Sequence, residues 1–196
     1  MQLLSYVVAR DYGFAPNPFH GTCTLATCKP VIRRTARIGD WIVGTGSASY
    51  GLTRHLVFAM RVDQAITFDE YWSIPEFQIK KPQLNGSRKQ AFGDNIYCRD
   101  SSGHWHQAPS HHSESSGEIN QANVEHDTQT DRVLIGREFA YFGKSAIPIP
   151  DNFQDVCAVR GHKCNFDASF VFAFIDWVKS ACEAGFQGAP AEWYQA

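Results

Sequence analysis

Long apolar runs are missing from this sequence. No stretch approaches the roughly 20 consecutive apolar residues of a membrane-spanning helix. The opening "MQLLSYVVARDYG" has no basic flank, and its apolar run stops at Arg10, too early for a secretory signal. The expected location is therefore cytoplasmic, with no membrane partner. Excess charge is scarce as well: 18 Lys and Arg stand against 20 Asp and Glu, a formal net charge of −2. That excludes the basic coat with which a protein holds duplex DNA unaided, because phosphate contacts supply most non-specific affinity. Six cysteines in 196 residues are too few for a disulfide-stapled scaffold. The common catalytic signatures are absent too. There is no G-x-S-x-G, no H-E-x-x-H, no G-x-G-x-x-G, no Walker A loop, and no H-x-E with P-C-x-x-C as in zinc deaminases. "GTGSASYG" at 44–51 is glycine-rich, but without the spacing or the lysine of a phosphate loop it reads as a connection between strands.

What is present suits one compact domain. The chain is 43 % hydrophobic and 13 % aromatic, enough for a well-buried core, and a single domain over 1–196 is the expectation. Charge is unevenly placed. Residues 1–100 carry twelve Lys and Arg against eight Asp and Glu (+4), and residues 101–196 carry six against twelve (−6). The first half could thus present a mildly positive face to a phosphate.

Short strands come first. "LLSYVVA" (3–9) is apolar and β-branched, and the Pro- and Gly-rich "RDYGFAPNPFHG" after it excludes a helix. "TCTLATC" (22–28) reads as extended chain, a Gly-Asp turn precedes a strand over Trp41–Thr45, and "HLVFAMRVD" (55–63) is the clearest buried strand. Thr67 and Glu70 have the capping-box spacing, which predicts a short helix ending before Pro75. Residues 78–92 form a basic loop, a hairpin is expected at 95–107, and "RVLIGREFAYFG" (132–143) supplies one or two further strands. Residues 108–131 have only Ile119 and Val124 as sizeable aliphatics, so this stretch reads as a mobile loop or lid. Phe170, Phe174, Trp177, Val178 and Ala181 fall at helical spacing and predict a C-terminal helix over 168–184, capped by Asn165 or Asp167. Strands before one main helix, without βαβ alternation, predict an α+β fold: a curled mixed sheet or small barrel packed against the C-terminal helix.

Polar side chains concentrate in "GDNIYCRDSSGHWHQAPSHHS" (93–113), which holds four of the eight histidines. A type I turn over Asp100–Gly103 with Gly103 left-handed sets Cys98 opposite His106 and Asp100 opposite His104. That face has zinc-ligand residue types, yet it depends on register, and a half-exposed hairpin explains it more simply. Cys23/Cys28 and Cys157/His162/Cys164 have spacings wider than usual zinc motifs and read as small apolar residues. Lys29, Arg33, Arg34, Arg37 and Arg54 lie among Tyr12, Phe14, Phe19, Trp41 and Tyr50, a mix that suits a stacked base with its phosphate on an arginine.

Taken together, "YVVARDYGFAPNPFHGTCTLATCKPVIRRTARIGDWIVGTGS", "GDNIY", "HS" and "VLIGREFAYFG" resemble the second nucleotide modification-associated domain family, over about residues 5–150. That family occurs in bacteria and phages and is linked to DNA base hypermodification. The motif positions implied are Arg10, Asp11, Phe14, Asn17, Pro18, Thr24, Cys28, Lys29, Pro30, Arg33, Asp40, Trp41, Asp94, Asn95, Tyr97, His112, Ser113, Tyr141, Phe142 and Gly143. His104 and His106 are not among them. The "GDW" strand and "HLVFAMRV" also resemble strands of modified-base reader domains of the pseudouridine-synthase-associated type, a likeness of fold only.

The resemblance implies a protein directed at a nucleotide or DNA base. In that reading Lys29, Arg33 and Arg54 hold phosphate, Asn17 and Asn95 read a base edge, Tyr97 or Trp41 stacks, and Tyr141 lines the ligand site. Asp11, Asp94 and His112 are candidates for proton transfer, and Cys28 is a candidate nucleophile whose neighbour Lys29 favours the thiolate. Two alternatives stay open: a non-catalytic module for a modified base or nucleotide signal, and an interaction subunit of a modification or phage-defence complex. No metal site is expected, and no cofactor is named by any motif. The partners expected are a nucleotide or nucleic-acid base and the proteins of a modification system.

Overall fold

The computed structural model describes residues 1–159 and 161–194. Elements numbered in chain order are β1 (Leu3–Val8), β2 (Cys23–Leu25), α1 (Pro30–Thr35), β3 (Trp41–Gly46), β4 (His55–Arg61), β5 (Gln64–Ile66), α2 (Phe68–Ser73) and α3 (Arg88–Ala91). There follow β6 (Tyr97–Arg99), β7 (Trp105–Gln107), α4 (Gln121–Asp127), β8 (Val133–Gly136), β9 (Phe139–Tyr141), β10 (Ile147–Pro148), β11 (His162–Lys163), α5 (Ala168–Ala181) and β12 (Gly185–Phe186). The fold is α+β, with mixed sheets and a C-terminal helix. Contacts divide the chain into two units, one of Met1–Tyr12, Ala36–Asp63 and Gly136–Ala196, the other of Gly13–Thr35 and Gln64–Ile135.

The first unit is built on a seven-stranded sheet of order β11-β1-β3-β4-β9-β12, with β10 also on β4. β1 and β3 run parallel, while β3, β4 and β9 run antiparallel. The sheet stays open, so the small barrel considered from sequence does not form. Its edges are the two-residue strands β11 and β12, too short to meet and close with the stagger a barrel requires. β1, β3 and β4 are buried along almost their whole length, as their unbroken apolar runs require. Gly44 is needed at the centre: a Cβ there would lie 2.3 Å from the ring of Phe58 on the neighbouring strand. α5 sits against the sheet through Val171, Phe174, Ile175 and Val178, which join Leu3, Trp41, Val43 and Leu56 in one apolar cluster. It ends three residues short of the expected 184, and Asp167 is its N-cap residue without a side-chain cap bond.

The second unit holds the three-stranded sheet β2-β8-β5 and the β6–β7 hairpin. α2 begins with the expected capping box. Thr67 accepts from the Glu70 amide, and Glu70 reaches back to the Thr67 amide at 2.7 Å. The hairpin also has the expected register: Cys98 faces His106, Asp100 N–H donates to His104 O at 2.9 Å, and Gly103 is left-handed at φ 82. Its inner face is Tyr97 and Gln107, both buried, while His104 and His106 are exposed. Phe68 ties the hairpin to α2, edge-on to Tyr97 at 5.4 Å and to Trp105 at 5.5 Å. Residues 108–131, read from sequence as a loop, contain α4. Asn120 caps it by accepting from the Asn123 amide, and Val124 and Asp127 are its buried residues.

Candidate functional site

Three segments of the second unit converge on the carboxylate of Asp127. The first leaves β2 and turns into α1 through Cys28 and Lys29, which have φ of +55 and +41. This left-handed region is costly for residues with a Cβ, and the chain holds it by side-chain and backbone bonds. Arg33, fully buried in α1, donates to the carbonyls of Cys28 (2.9 Å), Thr130 (3.1 Å), Arg132 (2.7 Å) and Asp127. Burial lowers its pKa to about 10, where it is still a cation at neutral pH. One guanidinium thus fixes the Cys28 turn to the far end of α4.

The second segment is the turn after β7. Ser113 Oγ donates to Ala108 O and accepts from the Ser110 amide, while Ser110 Oγ accepts from the His112 amide. The His112 carbonyl accepts from Gln107 Nε2 at 3.2 Å and from Asn123 Nδ2 at 2.8 Å. The ring of Phe14 lies 4.6 Å from the imidazole, centroid to centroid. With its backbone held and one ring face covered, His112 has little freedom to turn.

The third segment is α4. Asp127 has no exposed side-chain surface. Its Oδ2 accepts from His112 Nδ1 at 2.8 Å and from the Tyr97 hydroxyl at 2.9 Å; its Oδ1 accepts from the Cys28 amide at 2.7 Å and has His126 Nδ1 at 3.3 Å. His112 Nε2 lies 3.8 Å from Cys28 Sγ, within hydrogen-bond reach for sulfur. The order is therefore thiol, imidazole, carboxylate, the arrangement in which a base activates a nucleophile and an acid orients the base.

The electrostatics follow from the donors. Burial opposes charge on His112, but its bonds to Asp127 and Cys28 outweigh that and raise its pKa to about 9. Burial likewise opposes ionisation of Asp127, yet His112, the Cys28 amide and Tyr97 together hold its pKa below the ordinary value. Burial and the neighbouring carboxylate raise Tyr97, so it stays a neutral donor. At neutral pH the site therefore holds an imidazolium between the Asp127 carboxylate and the Cys28 sulfur. Cys28 is half-buried and the His112 side chain is 15 % exposed, so both reach the surface that Asp127 does not.

A second buried network lies in the same unit. Lys80, 1 % exposed, places Nζ within 3.0 Å of Asn17 O and Oδ1, 2.8 Å of Thr22 O and 3.1 Å of Thr24 Oγ1. Thr24 Oγ1 donates to Asp94 Oδ2 at 2.6 Å, and the Tyr71 hydroxyl donates to Asp94 Oδ1 at 2.8 Å. Burial lowers the Lys80 pKa to about 8, against the pull of Asp94, and burial raises Asp94 despite Lys80.

Of the residues singled out from sequence, Cys28, His112 and Tyr97 come together, with Arg33 beneath them and Lys29 next in the chain. Tyr97 orients the acid rather than stacking on a ligand, and the Arg33 guanidinium is spent on carbonyls rather than open to phosphate. Asn17 and Asp94 belong to the Lys80 network, and Asn95 is buried with its amide donating to Tyr71 O and Phe77 O. Asp11, Tyr141, Trp41 and Arg54 lie in the first unit. Asp11 accepts from the Tyr141 hydroxyl and the Ala191 amide. Its chain neighbours Arg10 and Tyr12 line a cavity of about 330 Å³ with Ala9, Ser49, Tyr50 and Glu192. Trp41 is in the apolar core, and the Arg54 carbonyl accepts from the Ile149 amide. Sequence reasoning missed Asp127 as the third member. Its one local signal is position: it follows Val124 by three residues, on the inward face of a helix.

Among the described residues, no cluster of His, Cys, Asp and Glu is arranged to hold a metal ion, and no helix is long and apolar enough to cross a membrane. Fold and site together define an α+β protein that carries a Cys–His–Asp constellation at a half-buried surface. The chain belongs to the family described as nucleotide modification associated domain 2, whose model matches residues 1–196. No curated protein and no solved structure matches it.

Proposed function

We propose that this protein is an enzyme that acts on a nucleotide, or on a base within DNA, through Cys28 as a covalent nucleophile. One observation carries the reading: Asp127 binds His112 Nδ1 and the Cys28 amide at once, and His112 Nε2 faces the Cys28 sulfur. A buried cysteine with no catalytic task has no need of an oriented base and a buried acid. Nucleotide modification enters from the family to which the chain belongs. His112 holds the proton that leaves the thiol and returns it to the leaving group or to the product, while Asp127 keeps Nδ1 protonated and Nε2 directed at the sulfur. Gln107, Asn123 and Arg33 hold the turns that present these groups. The low net charge suits a single nucleotide or one flipped base better than an extended duplex.

The test is the alkylation rate of Cys28 by iodoacetamide as a function of pH, read by mass spectrometry on the peptide that contains Cys28. Wild type should react at neutral pH at least tenfold faster than Asp127→Asn and His112→Gln, and Cys28→Ala should lose any nucleotide-modifying activity. Equal rates at Cys28 in wild type, Asp127→Asn and His112→Gln would sink the proposal.

A further inference from the structure

The amide of Cys28 narrows what its sulfur can attack. In acyl transfer a negative oxygen forms one bond from the carbon attacked, and the nucleophile's own N–H commonly stabilises it. Here that N–H points inward and is taken by Asp127 Oδ1 at 2.7 Å. An oxyanion at that place would lose this donor and face the field of a fully buried carboxylate. The side-chain amides of Gln107 and Asn123 both point at the His112 carbonyl. The site suits an electrophile whose negative charge develops away from the sulfur.

Resting on the thiol-nucleophile reading, we propose that Cys28 adds to C6 of a pyrimidine nucleotide, free or within single-stranded DNA. The thiolate attacks C6, the S–C6 bond forms and the C5=C6 π bond breaks. The electron pair moves through C5 and C4 to O4 of a uracil or N3 of a cytosine, three bonds from the carbon attacked. C5 then takes a proton from solvent, giving a 5,6-dihydro adduct. Removal of a C5 proton and expulsion of the thiolate restore the pyrimidine. The cycle consumes nothing and leaves C5 carrying a solvent hydrogen. Purine rings have no such polarised C5=C6 bond and are excluded as substrates of this step.

The reaction is read as exchange of the C5 hydrogen in D2O, by loss of its proton NMR signal and a mass gain of one deuterium. The probes are dUMP, dCMP, and single-stranded oligonucleotides containing dU or dC, with dAMP and dGMP as controls. Wild type should exchange at least one pyrimidine probe tenfold or more above the Cys28→Ala background and leave the purines at their uncatalysed rate. If no pyrimidine exchanges while Cys28 still shows its His112-dependent alkylation, the pyrimidine assignment is overturned and the nucleophile stands. If that alkylation is absent too, both fall together.

Discussion

Two buried carboxylates in the same unit, each hydrogen-bonded to a tyrosine, end in opposite roles. Asp94 is sealed: its partners are Thr24 and Tyr71, and Lys80 behind Thr24 is itself 1 % exposed. Asp127 is buried as completely, but the imidazole it binds is 15 % exposed and leads to a half-buried thiol. Burial pushes Lys80 and Asp94 each toward its neutral form, while around Asp127 the hydrogen bonds win and keep both acid and imidazole charged. A perturbed buried pair is thus not by itself a functional signal. What separates the two is a half-buried thiol at the end of the chain of bonds and a path to solvent.

The comparison can be broken by substitution. The largest effect should follow Lys80→Met, which leaves Asp94 and the Asn17 and Thr22 carbonyls buried without their cation. The expected loss is about 3–5 kcal/mol of stability. At roughly 2–4 °C per kcal/mol for a chain of this size, the thermal midpoint should fall by about 10 °C. The alkylation rate of Cys28 in the fraction that stays folded should be unchanged, and a parallel fall in both would show that the networks are coupled.

Next in size is a dependence on pH. The His112 pKa is about 9 in the folded chain against 6.5 unfolded. Its stabilisation is therefore complete below pH 6.5, declines between 6.5 and 9, and is gone above that. At 1.36 kcal/mol per unit this is of order 3 kcal/mol. Urea unfolding should show wild type well above His112→Gln at pH 6, with the gap closing by pH 9.5. A gap that widened with pH would mean that His112 is neutral in the folded protein. Asp127 acts in the other direction: its contribution is present above the ordinary carboxylate pKa and disappears as pH falls through its lower folded value.

The smallest effect separates catalysis from stability. Cys28 sits at φ +55, so Cys28→Gly should gain up to about 1 kcal/mol in a thermal melt while removing the sulfur. A destabilised glycine variant would mean that the thiol's packing outweighs the backbone cost.

Much of the fold could be read from residue order because its signals are local. The capping box at Thr67, the bulged hairpin at Asp100 and the apolar run of β4 each lie within a few residues. α1 and α3 escaped for the opposite reason. At six and four residues they are too short to show a helical period, although Ser87 and Gln90 do form a capping box. The site was half legible. Cys28 and His112 stood out through the family motifs, but nothing local ties them to Asp127, and Tyr97 and Arg33 took structural tasks that their residue types did not announce. Asp94, another motif position, anchors a buried network through Thr24 and Tyr71.

The long sequence separations in the site set an order of events during synthesis. Cys28 leaves the ribosome 84 residues before His112 and 99 before Asp127. Until α4 emerges and docks, the sulfur has neither the imidazole nor the carboxylate held beside it. The thiol, imidazole and carboxylate are brought together only by the contacts that complete the unit.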